Sequence, residues 1–117
     1  MGRFCFSVDM SDSSSTYSVS LLSSFACRDR RFASFVAMPL SVVWEAPDGK
    51  LYEENIEIGR DDIREESYDK KIIYSPYRKN LRPEENGVWK VYMKTPEDSL
   101  VKYKLYGIGI RVRREEH

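Results

Sequence analysis

The segment Leu40-Ser-Val-Val-Trp-Glu-Ala-Pro-Asp-Gly-Lys-Leu-Tyr52 places a tight turn between two apolar runs. Both runs are rich in β-branched and aromatic residues, which pack well on the pleated surface of a sheet. In the turn, Pro47 presets φ, the Asp48 side chain can cap the backbone, and Gly49 accepts a positive φ. The segment therefore predicts a β-hairpin in which residues 51–58 pair back on the first strand.

The amino-terminal part of the chain shows a similar alternation. Phe4, Phe6 and Val8 alternate with smaller or polar side chains, and a second alternating run extends from residue 17 to about residue 27. A serine-rich polar loop, residues 11–15, separates the two runs. We predict that these two strands form an amino-terminal hairpin.

The carboxyl-terminal half adds further strand signals. Residues 71–74 form an apolar run, and two prolines keep the following stretch, 75–83, extended. The dipeptide at positions 86 and 87, Asn-Gly, is a strong hairpin signal directly before the strand at 88–93. In the last predicted strand, residues 105–113, two glycines permit a bulge or a close backbone approach.

The segments between these strands are polar. The charged stretch 60–69 has little to bury and is predicted to be an exposed loop, and residues 95–99 are predicted to form a turn. The basic cluster 28–31 lacks an aromatic ladder, which favours a solvated turn over a nucleic-acid site. The carboxylates at 61–66 lack the spacing and the glycine of an EF-hand calcium loop.

Seven or eight strands at short, regular spacing, with no convincing helix, predict an all-β fold. A chain of 117 residues is close to the usual size of one domain and is large enough for one core. We therefore predict a single antiparallel β-sandwich domain over residues 1–117, jelly-roll or immunoglobulin-like, with a barrel as the alternative.

The charge balance bears on the kind of partner. Lys plus Arg and Asp plus Glu number 19 each, so the formal net charge is zero, whereas binders of nucleic acids or anionic membranes usually carry a basic excess. No apolar run approaches the roughly 20 residues that span a bilayer, and the first residues do not resemble a signal peptide. We expect no nucleic-acid partner, and membrane contact only through a lipid anchor missing from this chain.

Cys5 and Cys27 are the only thiols. A disulfide could join them if the first two strands are neighbours, and two buried free thiols are the alternative. With the terminal His117 as the single histidine, the chain has too few ligands for a structural zinc site. We expect no metal and no cofactor.

The sequence shows no catalytic pattern. Nucleophilic catalysis by Ser or Cys needs a base beside the nucleophile, and the single histidine is the last residue. There is no Walker A sequence, and the two glycines of the last strand have no helix behind them. We expect no catalytic residues and no enzyme activity.

One stretch combines aromatic and cationic side chains around prolines. Tyrosine and arginine are enriched where proteins bind proteins, because they bury area while keeping a polar end. The predicted interaction surface for a protein partner comprises Tyr74, Tyr77, Arg78, Lys79 and Arg82. The alternative is that the tyrosines pack on the edge of the sandwich and the cations are solvated. Strand addition at an exposed sheet edge is another route to the same recognition.

The order and spacing of these stretches resemble the gliding-motility-associated lipoproteins of Bacteroidetes, the H component. The matching stretches are residues 40–52, 74–81, 86–93 and 108–112, and residues 17–21 resemble an early strand of that family. The charged stretch 60–69 stands where the family has a Trp-x-Gly loop. The resemblance covers about two thirds of the chain.

The resemblance implies a non-enzymatic accessory protein of the cell envelope, facing the periplasm and held by a lipid anchor. The sequence leaves two alternatives. One is a carbohydrate-binding sandwich, for which Trp44 and Trp89 would have to form an open aromatic platform. The other is a cytoplasmic interaction domain.

Overall fold

Two four-stranded antiparallel sheets make up the fold. The computed structural model describes residues 2–116, and their side chains except at positions 2, 98, 99 and 116. The first sheet has the strand order β1-β7-β3-β4 and the second has the order β5-β6-β2-β8. The eight strands of the described residues are β1 (Gly2–Met10), β2 (Ser15–Phe25), β3 (Ala37–Glu45), β4 (Leu51–Gly59), β5 (Ile63–Glu66), β6 (Lys71–Leu81), β7 (Gly87–Thr95) and β8 (Leu105–Glu116). The predicted all-β sandwich is therefore confirmed.

The hairpin β3–β4 forms as predicted. Its register places Trp44 opposite Tyr52 and Leu40 opposite Ile56. The alternate side chains of β3 from Met38 to Trp44 are buried against the second sheet. The alternation of the sequence therefore predicts correctly which face of β3 is buried.

The turn of this hairpin follows the chemistry of its residues. The Gly49 amide donates to the Ala46 carbonyl at 2.8 Å, and the Lys50 amide donates to the Asp48 carboxylate at 2.9 Å. Gly49 has a φ of +91°, which a residue with a side chain rarely adopts. Gly87 has a φ of +147°, and a Cβ there would lie 2.8 Å from a Pro47 side-chain carbon. The turn thus packs directly against the start of β7.

The predicted amino-terminal hairpin is wrong. β1 pairs with β7, whereas β2 lies between β6 and β8 in the other sheet. Each strand turns its apolar face to the same core from opposite sides, so the alternation is satisfied without pairing between the two strands. The loop between them is held by Asp12, whose carboxylate accepts a hydrogen bond from the Ser14 amide at 2.9 Å.

The Asn86-Gly87 pair does not form a hairpin turn either. It precedes β7 in the first sheet, whereas β6 belongs to the second sheet, so residues 82–86 cross between sheets. The Asn86 amide group donates to the Met10 carbonyl at 3.1 Å and thereby joins this crossing to the end of β1. Long-range pairing therefore overrides the local turn signal.

Three predicted loops or turns contain regular structure. Short helices occupy Asp29–Phe32 (α1) and Glu97–Lys102 (α2), where solvated turns are predicted. A 3-10 turn, Arg60–Asp62, and β5 replace the predicted loop at 60–69. The strand predicted at 71–74 continues through Pro76 to the end of β6. Elements of three to six residues are too short to show a periodic pattern in the sequence.

An aromatic cluster closes one end of the core around α1. Phe32 stacks on Phe35, with ring centroids 4.9 Å apart, and Phe25 and Tyr103 contact the same pair. Arg60 donates to the Phe32 carbonyl at 2.7 Å and lies over the Phe32 ring. This cluster anchors the segment between β2 and β3.

The two cysteines are free, and the strands that carry or precede them belong to different sheets. Cys5 is exposed on β1, and Cys27 is buried just beyond β2 in the other sheet. A bridge between neighbouring strands is therefore excluded, because these strands are not neighbours. Burial raises the pKa of the Cys27 thiol, although Lys71, Arg31 and Lys104 oppose that rise.

This difference predicts the reactivity of the thiols. In the native protein we expect iodoacetamide to alkylate Cys5 and to leave Cys27 unmodified, because only 2% of Cys27 is exposed. In denaturant both thiols should react. Peptide mass spectrometry of the alkylated chain measures the two sites separately. Equal labelling of both cysteines in the native state would contradict the placement of Cys27.

No helix in the described residues is long and apolar enough to cross a membrane.

Candidate binding cleft

A cleft of about 480 Å³ lies where the edge of the first sheet meets the second sheet. The β3–β4 hairpin supplies one wall, and the end of β6 with the crossing to β7 supplies the other. The residues lining it are Met10, Trp44, Tyr52, Glu53, Glu54, Arg78, Leu81, Arg82, Pro83, Glu84 and Trp89.

Three aromatic rings, those of Trp44, Tyr52 and Trp89, form the apolar floor, and Tyr77 packs against it. Trp44 stacks on Tyr77 at a centroid distance of 6.1 Å and meets Trp89 edge-on at 6.3 Å. Tyr52, opposite Trp44 in the hairpin register, packs on Trp89 at 5.8 Å. Both indole nitrogens have acceptors, since Trp44 Nε1 donates to the Tyr77 hydroxyl and Trp89 Nε1 donates to the Glu85 carbonyl, each at 2.9 Å. Satisfied polar atoms on packed rings make the floor rigid.

A carboxylate on β4 joins the two sheets beside this floor. The Tyr77 hydroxyl donates to Glu54, and the Arg78 guanidinium forms a salt bridge with the same carboxylate. The side chains of Arg78 and Glu54 are 40% and 31% exposed, so water screens the pair and its main effect is to fix geometry. Arg78 also lies over the Tyr77 ring, 4.4 Å from its centroid.

An irregularity in β6 directs these two side chains to the cleft. Pro76 pairs with Ser20 and Arg78 pairs with Val19, so Tyr77 is an extra residue without a partner on β2. Such a bulge re-aims side chains at the edge of a sheet. The strict alternation of β6 therefore ends where the cleft begins.

The rim of the cleft is charged. The Tyr52 hydroxyl donates to the Glu84 carboxylate at 2.7 Å, and this hydrogen bond raises the pKa of Tyr52. Lys50 lies over the Tyr52 ring at 5.5 Å. Arg82 is exposed on the same rim. Two arginines and three carboxylates therefore line the cleft beside its aromatic floor: Arg78, Arg82, Glu53, Glu54 and Glu84.

One side of β6 at this cleft has no neighbouring strand. β5 pairs with β6 only up to Ile73, and in the described part of the chain no strand pairs with that side of β6 from Tyr74 to Leu81. Backbone donors and acceptors on an unpaired edge are available to another chain.

The predicted interaction surface is divided between two places. Tyr77, Arg78 and Arg82 lie at the cleft. Tyr74 and Lys79 lie on the outer face of the second sheet, where the Arg64 guanidinium covers the Tyr74 ring at 4.8 Å. Arg78 lines both places. The break in alternation at Tyr77 separates residues that are close in sequence.

Sequence reasoning misses the other half of the cleft. Trp44, Tyr52, Glu54 and Trp89 line it. The sequence predicts Tyr52 and Glu54 only as strand residues, and it considers the two tryptophans only as an open sugar-binding platform. The sequence does indicate that Trp44 and Tyr52 are neighbours, because a five-residue turn at 46–50 places them opposite each other in the hairpin. The approach of Trp89 depends on the pairing of β7 with β3 and has no local signal.

The two tryptophans are 8% and 6% exposed and contact each other edge-on. They do not form the open platform that sugar rings would stack on, which counts against the carbohydrate-binding alternative. Among the described residues, no group of three or more His, Cys, Asp or Glu side chains is placed to hold a metal ion.

Comparisons of the chain with protein-family models, with curated proteins and with solved structures find no match.

Proposed function

We propose that this chain is a non-enzymatic binding module that recognises a protein partner at the cleft. The observation that carries the proposal is an aromatic cleft that borders the unpaired edge of β6, residues 74–81. An extended segment of the partner would add as a strand along this edge. One of its side chains would then enter the cleft.

The size and composition of the cleft support this role. Its volume is within the range of about 300–1,000 Å³ usual for ligand pockets. Tyrosine, tryptophan and arginine, which dominate the energetics of protein interfaces, supply five of its eleven lining residues. The bonds from Trp44 through Tyr77 to Glu54 hold the floor before a ligand arrives, which reduces the entropy cost of binding.

The resemblance to the gliding-motility lipoproteins extends the proposal to location. On that basis, the module faces the periplasm, is held in the cell envelope by a lipid anchor outside this sequence, and acts as an accessory protein without catalysis. A cytoplasmic interaction domain would use the same cleft. The carbohydrate alternative has less support, because Trp44 and Trp89 are buried.

The proposal predicts how substitutions in the cleft change the affinity for a peptide. Peptides selected from a displayed random library on the wild-type protein should bind at least about tenfold more weakly to a Tyr52→Ala variant, because the variant removes a ring of the floor. Isothermal calorimetry measures the affinity. Tryptophan emission reports the place of binding, since the only two tryptophans of the chain line the cleft.

The matched control is Leu51→Ala, which truncates the exposed neighbour of Tyr52 on the opposite face of β4. Arg82→Ala should also weaken binding, and Lys79→Ala on the outer face should not. Thermal unfolding verifies that each variant is folded. Peptides that bind Tyr52→Ala and Arg82→Ala as tightly as wild type, without changing tryptophan emission, would remove the cleft from the proposal.

A further inference from the structure

A second depression, of about 340 Å³, lies on the outer face of the second sheet, away from the floor of the cleft. The register places Arg113 opposite Ser18 and Arg111 opposite Ser20, with Pro76 beyond Ser20 on β6. Short serines therefore lie between long side chains on either side. We call this depression the basic trough and define it by Ser18, Ser20, Tyr74, Lys79, Arg111 and Arg113.

The trough concentrates positive charge in a chain of zero net charge. In the part of the chain that the structure describes, none of Lys79, Arg111 and Arg113 forms a salt bridge. The one carboxylate that lines the trough is Glu115, which accepts a hydrogen bond from Ser18 at 3.4 Å. The three cations outnumber this single carboxylate and repel one another, and an anionic occupant would relieve that repulsion.

The Tyr74 hydroxyl lies among the hydrogen-bond donors and cations of the trough. A hydrogen bond from Ser20, with the nearby Arg111 and Arg64 guanidinium groups, lowers the pKa of the Tyr74 hydroxyl despite its partial burial. A lowered pKa means that negative charge at the Tyr74 oxygen is favoured. The Arg111 and Arg64 guanidinium groups therefore act on the Tyr74 oxygen in the direction expected of a basic surface.

We propose that the basic trough binds an extended acidic protein segment with carboxylates at alternate positions. Arg111 and Arg113 are two residues apart on β8, which separates their side chains by about 7 Å. Alternate side chains of an extended segment repeat at the same spacing, so two successive carboxylates can each meet one guanidinium.

The surroundings favour a protein segment over other polyanions. Unstacked bases need open aromatic faces, whereas Arg64 already covers one face of Tyr74, the one aromatic residue of the trough. Insertion into an anionic bilayer needs exposed large apolar side chains, and the trough presents serines and cations instead. This surface is separate from the floor of the cleft, so the inference goes beyond the proposed function and holds or fails without it.

The test uses a synthetic peptide of alternating Glu and Ser residues and a matched peptide of alternating Lys and Ser. Fluorescence anisotropy should show binding of the Glu-Ser peptide that weakens steeply as salt is raised, and no binding of the Lys-Ser peptide. The double variant Arg111→Glu/Arg113→Glu should bind the Glu-Ser peptide at least about tenfold more weakly. Arg111→Gln/Arg113→Gln, which removes the charge without reversing it, should give an intermediate loss.

The matched control is Lys90→Glu/Lys94→Glu, which makes the same charge change at exposed positions on the outer face of the first sheet. It should change the affinity less than about twofold. Tyr52→Ala should bind the Glu-Ser peptide as wild type does, so failure at the trough is distinguishable from failure at the cleft. A Glu-Ser affinity that is equal in wild type and both arginine variants would overturn the inference. Tighter binding of an oligothymidylate, or of phosphatidylserine vesicles, through the same two arginines would also overturn it, in favour of a nucleic acid or a membrane.

Discussion

Replacing Phe32 with alanine should lower the free energy of unfolding by about 4 kcal/mol. Phe32 is fully buried, stacks on Phe35, and carries the Arg60 and Lys71 cations near its ring. Truncation would leave a cavity in a cluster of packed rings, which cannot collapse without moving α1. Urea denaturation followed by circular dichroism measures the loss.

The control for this substitution is Val36→Ala, four residues further along the chain. Val36 is 77% exposed, so removing its two methyl groups should change the stability by less than about 0.5 kcal/mol. Equal effects at the two positions would contradict the burial of Phe32 in the core. A change in the denaturant slope would instead indicate that the native state itself has loosened.

Replacing Lys71 with methionine should lower the free energy of unfolding by about 3 kcal/mol. Lys71 has no exposed surface, and its ammonium group donates to the carbonyls of Cys27 and Ser67 and to the Asp29 carboxylate. Methionine fills a similar volume but leaves the buried Cys27 carbonyl and the partly buried Ser67 carbonyl without this donor. The Asp29 side chain is 59% exposed, so water can replace the lost ion pair and the cost comes mainly from the carbonyls.

The matched control is Lys70→Met at the preceding, exposed lysine, for which we expect a change below about 0.5 kcal/mol. Thermal unfolding should show a melting temperature lower by roughly 10 °C for the Lys71 variant. A melting temperature equal to that of the Lys70 variant would show that the buried ammonium is dispensable. Because Lys71 contacts the Phe32 ring, the double variant should cost less than the sum of the single variants.

These two residues differ in how far the sequence predicts them. Phenylalanine is a residue type that is usually buried, but Phe32 lies beside a basic cluster that is typical of a solvated turn. Lys71 begins an apolar run, and nothing in its neighbourhood indicates a buried lysine. Its partners come from residues 27–29 and 67–68, which the fold brings together around the start of β6.

The candidate cleft shows the same division. The residue types of Tyr77, Arg78 and Arg82 predict that they bind a partner, and they line the cleft or pack against its floor. Tyr74 and Lys79, which have the same kind of side chain, lie on the other face and contribute to the basic trough. Residue type indicates what a surface can bind, whereas the bulge at Tyr77 decides which surface each side chain joins.

Local sequence is sufficient for the elements of the fold that depend on neighbours in the chain. The turn at Pro47, Asp48 and Gly49, the β3–β4 register and the buried face of β3 follow from local backbone preferences and from the alternation of apolar residues. These features need no knowledge of distant residues.

The choice of neighbouring strands, in contrast, emerges only in three dimensions. Alternation specifies the face that a strand buries but not the strand beside it. The sequence patterns of β1 and β2 are therefore those of a hairpin, and so are those of β6 and β7. In the structure, however, the two strands of each pair belong to opposite sheets. The cleft and the basic trough exist because consecutive strands are assigned to different sheets. Their residues come from strands far apart in sequence, and they meet because two amphipathic sheets bury their apolar faces against one core.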